Sequence, residues 1–262
     1  MNIAIIGGGN LGSAIAEGLL KSGFCKPHDI IITKRNPDTL KQLVERGVTV
    51  IANNGEAVRK SRLVILAVKP YQVEAVLEGI GNDLNETHIL ASVLTGVSIA
   101  DIRKLVKTSI PIFRIMPNTA IAIQQSMTCI SHDLATPEQV QYITDMFNNL
   151  GKVAMIDEGL MDAATVLGAC GTAYAMRYIR ANIQGGIEIG FDAKTASLIA
   201  AQTVKGAADL LLRNGSHPEQ EIDKVTTPKG CTIVGLNEME HQGFSSSLIR
   251  GVITSYKKIL ED

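Results

Sequence analysis

What this chain of 262 residues is short of narrows the field first. It has no surplus of either charge: 25 basic side chains stand against 26 acidic ones, for a formal net charge of −1. Neither a nucleic-acid face nor a membrane surface is therefore expected among its partners. It has no long apolar run. The longest nearly apolar stretch, residues 163–176, is too short and too glycine-rich to span a bilayer and reads as a buried helix. The four cysteines, Cys25, Cys129, Cys170 and Cys231, show no CxxC or Cys/His spacing. They are expected as reduced thiols, which with the lack of a leader before the first strand predicts a cytoplasmic protein. The five histidines form no ligand pattern either, so no metal site is expected. His28, His132 and His217 fall in turn-like contexts and read as solvated loop residues. No linker, internal repeat or low-complexity tract divides the chain.

What is present begins at once. Ile3-Ala4-Ile5-Ile6 runs into Gly7-Gly8-Gly9-Asn10-Leu11-Gly12, and apolar residues at 11, 15, 19 and 20 then share one helical face. The pattern is a buried parallel strand, a tight turn and a helix N-terminus. Gly7 allows the turn, Gly9 lets the backbone approach a pyrophosphate, and Gly12 lets the helix pack on the strand. Strand and helix patterns then alternate to about residue 156, with strands read at 30–33, 49–51, 63–68, 89–93, 110–115, 127–130 and 152–156. Such alternation predicts an α/β fold with a Rossmann-type, doubly wound parallel sheet, its ligands outside the carboxyl ends of the strands. Beyond residue 156 the strand runs stop and alanine-rich helical patterns take over, interrupted near residues 168–171. The expected division is a dinucleotide-binding domain over 1–156 and an all-α substrate-binding and dimerisation domain over 157–262. The apolar faces of these helices exceed what one copy can cover, which predicts a homodimer through this half.

Four stretches carry candidate chemistry. At the end of the second strand Thr33, Lys34 and Arg35 stand where an NAD site has an acidic residue for the ribose 2′-hydroxyl. Their chemistry suits a 2′-phosphate, so NADPH is the expected cofactor, with NADH as the alternative. Ala67, Val68, Lys69 and Pro70, with the strand end at 93–96, face the same cleft by the switch-point rule. Arg114 to Thr119 is either the floor of a nicotinamide pocket or a turn with an Asx-type hydrogen bond. Finally, Thr226, Thr227, Gly230, Cys231 and Thr232 gather hydroxyls and free N–H groups at a helix start, a pocket suited to a small carboxylate.

These residues carry a resemblance. The segments 7–11, 66–70, 114–119, 202–208 and 225–232 resemble, in order and spacing, the pyrroline-5-carboxylate reductase family, and the likeness covers the whole chain. It implies reduction of the cyclic imine 1-pyrroline-5-carboxylate to proline with NADPH or NADH, as the last step of proline biosynthesis. It also implies a helical half that interlocks two protomers, with a higher ring of dimers left open. By resemblance Thr232 hydrogen-bonds the imine nitrogen and is the expected catalytic residue. The backbone at Gly230, Cys231 and Thr232, with Thr227, holds the carboxylate, and Glu158 lies near the substrate. Asn54 and Thr95 match cofactor contacts, beside Gly7, Gly9, Asn10 and Leu11. The chain departs from the family pattern at Thr172, at Arg180, where an acidic residue is usual, and at Lys229, where the family has glycine. A β-hydroxyacid dehydrogenase is the competing enzyme reading, disfavoured because Lys194 alone is available between 160 and 199. A silent NADP-binding regulator is the competing non-enzyme reading.

Overall fold

The structure, a computed structural model, describes residues 1–261 and falls into two compact units, Met1–Cys170 with the stretch from Lys258, and Gly171–Lys257. The first is built on an eight-stranded sheet. Its strands are β1 (Ile3–Ile6), β2 (Ile30–Thr33), β3 (Thr49–Ile51), β4 (Leu63–Leu66), β5 (Ile89–Ser92), β6 (Ile112–Met116), β7 (Ser126–Asp133) and β8 (Gly151–Met155). They lie in the order β3-β2-β1-β4-β5-β6-β7-β8. The first six are parallel and in the Rossmann order, with the switch point between β1 and β4.

Side-chain alternation sorts the strands' residues onto two covered faces. Ile3, Ile5, Ile30, Ile32, Leu63, Ile65, Phe113 and Ile115 pack on one side. They meet Ile15 and Leu19 of α1 (Asn10–Ser22), Leu43 of α2 (Lys41–Glu45) and Met146 and Phe147 of α6 (Pro137–Asn148). Ala4, Ile6, Ile31, Val64, Leu66, Leu90 and Ile112 pack on the other. Their partners are Val58 of α3 (Asn54–Arg59), Leu77 and Ile80 of α4 (Val73–Ile80) and Ile102 of α5 (Ile99–Leu105). Burial on both faces is why these strands read as unbroken apolar runs.

The sheet departs from the all-parallel expectation at its end. β7 runs antiparallel to β6, and β8 follows β7. The connection 117–125 is the reason. A parallel return needs a crossover of a dozen or more residues, and this short segment, coiled into a 3-10 turn at Thr119–Ile123, permits only reversal. β7 is also longer than the 127–130 expected, and His132 lies within it, its ring tilted against Phe113 at 5.6 Å, rather than in a loop.

After β8 come α7 (Met161–Ala164) and a π-helical segment, Thr165–Cys170, which accounts for the interruption expected near 168–171. The second unit holds α8 (Gly171–Glu188), α9 (Ala193–Asn214), α10 (Pro218–Lys224), α11 (Cys231–His241) and α12 (Phe244–Glu261). Within it α8 and α9 pack closely, Gly186 facing Ala196, and the Tyr174 hydroxyl meets Ser255 Oγ at 2.6 Å. Among the described residues no helix is long and apolar enough to cross a membrane.

Candidate active site

The sharp turn after β1 is set by two glycines. Gly7 has φ +112, and a Cβ there would meet the Ala67 carbonyl at 2.6 Å, so both conformation and space demand glycine. At Gly12 a Cβ would fall on the Gly7 carbonyl, which fixes how closely α1 approaches β1. Gly9, by contrast, has nothing within 4 Å of its would-be Cβ. It opens α1 with no side-chain cap and no acidic residue in the first turn, leaving the helix's N–H groups available to an anion. The turn is tied to β2 by Gly8 N–H to the Thr33 carbonyl at 2.6 Å and by Gly7 N–H to Thr33 Oγ1 at 3.2 Å.

At the carboxyl edge, over the switch point, lies a cavity of about 830 Å³. Every residue singled out from the sequence for the cofactor lines it: Gly7, Gly9, Asn10, Leu11, Thr33, Lys34, Arg35, Asn54, Ala67, Val68, Lys69, Pro70 and Thr95. Val93 and Leu94 of the expected strand end line it too, with Gly8 of the turn and Asn36 after Arg35, while Ala52, Gln72 and Val76 complete the wall without having been expected there. Val76 lies on α4 and Gln72 in the turn before it, and neither their composition nor that of Ala52 carries an anion-binding signal. No carboxylate lines the cavity, while Lys34, Arg35 and Lys69 do, and none of these three is in an ion pair among the described residues. An uncapped helix N-terminus, an open glycine and unpaired cations fit a dinucleotide phosphate chain with an added 2′-phosphate.

Arg114 does not line this cavity. It is 4% exposed, Nη2 donates to Asp162 Oδ1 at 2.8 Å, and Nη1 lies 3.5 Å from Glu158 Oε1. Glu158 Oε1 also accepts the Ile99 backbone N–H at 2.6 Å. The structure thus joins Glu158 to Arg114, Asp162 and the start of α5, a group that sequence separation hid. Ser98 Oγ caps α5 by accepting Asp101 N–H at 3.0 Å. Hydrogen bonds from Ser98 and Lys104 in turn hold the Asp101 carboxyl down at about 2. Asn118 takes the turn reading, its Oδ1 accepting Ala120 N–H at 3.0 Å while Nδ2 donates to the Gly168 carbonyl at 3.0 Å.

In the second unit, Thr227, Gly230, Cys231 and Thr232 come together between α10 and α11. Gly230 N–H closes a turn on the Thr227 carbonyl at 2.9 Å. Lys229 at the third position of that turn has φ +59. A Cβ at Gly230 would meet Thr227 Oγ1 at 2.5 Å and the Thr227 carbonyl at 3.0 Å, so a larger residue would displace the Thr227 hydroxyl from where the fold-back places it. Gly230 precedes α11 with no side-chain cap, which leaves the N–H groups of Cys231 and Thr232 facing out of the helix start. Among the described residues no group of His, Cys, Asp or Glu could hold a metal.

Fold and cavity together define a dinucleotide-binding protein of the Rossmann class. Residues 158–262 match the family model for pyrroline-5-carboxylate reductase dimerisation, and residues 2–96 match that for NADP oxidoreductase, coenzyme F420-dependent. Over 98% of its length the chain is 43% identical to pyrroline-5-carboxylate reductase 2 of Dictyostelium discoideum, covering 91% of that protein. It is 48% identical to pyrroline-5-carboxylate reductase 1 of the same organism over 98% of this chain. It spans about half of that longer relative, 49%. A crystal structure of Plasmodium falciparum pyrroline carboxylate reductase with NADP bound superimposes with a TM-score of 0.89 at 25% identity, covering 99% of this chain and 97% of that one. The chain belongs to the pyrroline-5-carboxylate reductase family.

Proposed function

We propose that this chain reduces 1-pyrroline-5-carboxylate to proline with NADPH, serving proline biosynthesis. One observation carries the reading: a family member has kept both an unpaired cationic cavity at its switch point and a hydroxyl-rich, uncapped helix start at 225–232. A protonated imine is already electrophilic, so the protein needs no strong acid and no metal. It must hold the carboxylate, orient the ring and keep water out.

When bound, NADPH supplies the hydride. The first turn of α1 and the open face of Gly9 receive the pyrophosphate, and Thr33, Lys34 and Arg35 read the 2′-phosphate. Asn10, Leu11, Asn54, Thr95 and the strand end from Ala67 to Pro70 line the rest. On the substrate side Cys231 and Thr232 offer backbone N–H groups to the carboxylate, with the Thr227 hydroxyl. Gly230 contributes by having no side chain, since its own N–H is already bonded to Thr227. Thr232 Oγ1 accepts the hydrogen bond of the protonated imine nitrogen, whose charge vanishes as the new C–H bond forms. The same reading makes the assembly a homodimer through 157–262 and the compartment the cytoplasm.

The test is turnover of the purified protein with NADPH and the imine, followed by NADPH absorbance and proline formation. Thr232→Ala and Thr232→Val should each lower kcat/KM about 5- to 150-fold, roughly 1–3 kcal/mol, with NADPH affinity unchanged. No turnover by the unmodified protein would falsify the activity, and wild-type kinetics in both variants would leave Thr232 a helix-start residue.

A further inference from the structure

The loop 93–98 joins β5 to α5 and presents Val93, Leu94 and Thr95 to the cavity. Its near end is held by the sheet, Val93 N–H donating to the Leu66 carbonyl at 3.1 Å. Its far end is the start of α5, a helix of 7 residues, too short to hold itself in place by its own hydrogen bonds. There Ile99 N–H donates to Glu158 Oε1 at 2.6 Å. Glu158 is in turn held by Arg114, which is buried and whose other terminal nitrogen is taken by Asp162 at 2.8 Å. Arg114 Nε has no partner among the described residues, so the guanidinium's bonds go to these two carboxylates. The bond to Asp162 has the short length of a charge-assisted pair, and it sets the guanidinium beside Glu158, whose 3.5 Å contact is a looser ion pair.

We propose that Glu158 is a positioning residue for the cofactor: braced by Arg114 and Asp162, it fixes Ile99 and with it the 93–98 wall of the cavity. The inference rests on the cofactor reading above and gives Glu158 a role through the cavity wall instead of at the substrate. β5 belongs to the second mononucleotide half of the sheet, away from Lys34 and Arg35. Loosening its loop should therefore weaken what binds the nicotinamide end and spare what binds the adenosine end.

Calorimetric titration with NADPH and with 2′,5′-ADP, which lacks the nicotinamide half, separates the two. In Glu158→Ala the NADPH Kd should rise about 5- to 20-fold while 2′,5′-ADP stays within about twofold. Glu158→Gln keeps an oxygen for Ile99 N–H and should bind NADPH close to the unmodified protein. Should Glu158→Ala not fold, Ile99→Pro removes the same bond from the donor side. Proline is accepted at the first helical position, and Ser98 before it is already extended at φ −77 and ψ 160. That variant should show the same split. Unchanged NADPH binding in the folded variants, or equal weakening of both ligands, overturns the proposal. A wild-type protein that binds neither ligand overturns the cofactor reading itself and this inference with it.

Discussion

Lys229 occupies a backbone position built for glycine. Its φ of +59 falls at the third residue of a turn that begins Thr227-Pro228, where proline is at home and a positive φ follows. A side chain in this region costs roughly 1–2 kcal/mol, part of which glycine gives back through its freer unfolded chain. Lys229→Gly should therefore stabilise the protein by about 0.5–1 kcal/mol, measured by urea unfolding at fixed protein concentration. If the ammonium also meets the substrate carboxylate, the KM for the imine rises a few-fold in the same variant; an unchanged KM places the side chain in solvent. Arg35 tests the other end of the reaction. It is exposed, unpaired among the described residues and on the cavity wall. Arg35→Asp should narrow or reverse the preference for NADPH over NADH in kcat/KM, since a carboxylate repels a 2′-phosphate and accepts from a 2′-hydroxyl. Equal kcat/KM for the two cofactors in the unmodified protein would mean the phosphate is not read.

Between residues and the whole stand the elements, and they differ in how far the sequence announces them. β1, β2 and β3 match the strands read from the sequence residue for residue; in β1 and β2 burial on both faces forces a composition no loop shares, whereas the edge strand β3 is only partly buried and showed through its β-branched residues. The direction of β7 was not legible: side-chain pattern sets a strand's faces, and its direction follows from the length of the connection before it. The glycine-rich turn and the cations just after β2 were legible as part of one cavity because they are local in sequence and placed by the strand ends. The Arg114–Glu158–Asp162 group was not, since its members lie on separate elements and only the packed sheet brings them together. The π segment Thr165–Cys170 showed as a glycine-rich irregularity but not as a π turn. What supports it comes from elsewhere: Asn118 donates to the Gly168 carbonyl and turns its own loop at Ala120, and Thr165 Oγ1 donates to the Met161 carbonyl at 2.9 Å. Asn118→Ala loses both bonds of that amide and should destabilise the fold by about 1–3 kcal/mol in chemical denaturation. Asn118→Asp keeps the turn and loses the donor, so its cost should be smaller; an equal cost would mean the bond to Gly168 carries the effect.

At the scale of the molecule the two units differ in how they are covered. The sheet unit buries its strands completely, whereas α8, α10, α11 and α12 contain no buried residue and α9 buries only Ala196 and Ala200. Leu198 at 70%, Leu212 at 74% and Ile189 at 78% stand open to solvent. A helical unit this bare cannot be stable alone, which agrees with the dimerisation-family match over 158–262. Sedimentation at micromolar concentration should find a dimer whose unfolding midpoint rises with protein concentration; a fully active monomer would refute this. The same bareness bears on how the protein comes into being. Synthesis completes the strands and helices of the sheet unit as far as Cys170 before α8 emerges, and the sheet can close on itself in a first-order step. On the dimer reading, the helices that follow await a second copy, and maturation becomes a bimolecular encounter. Refolding should then divide into a fast phase indifferent to dilution and a slower one whose rate falls in proportion to the concentration of chains.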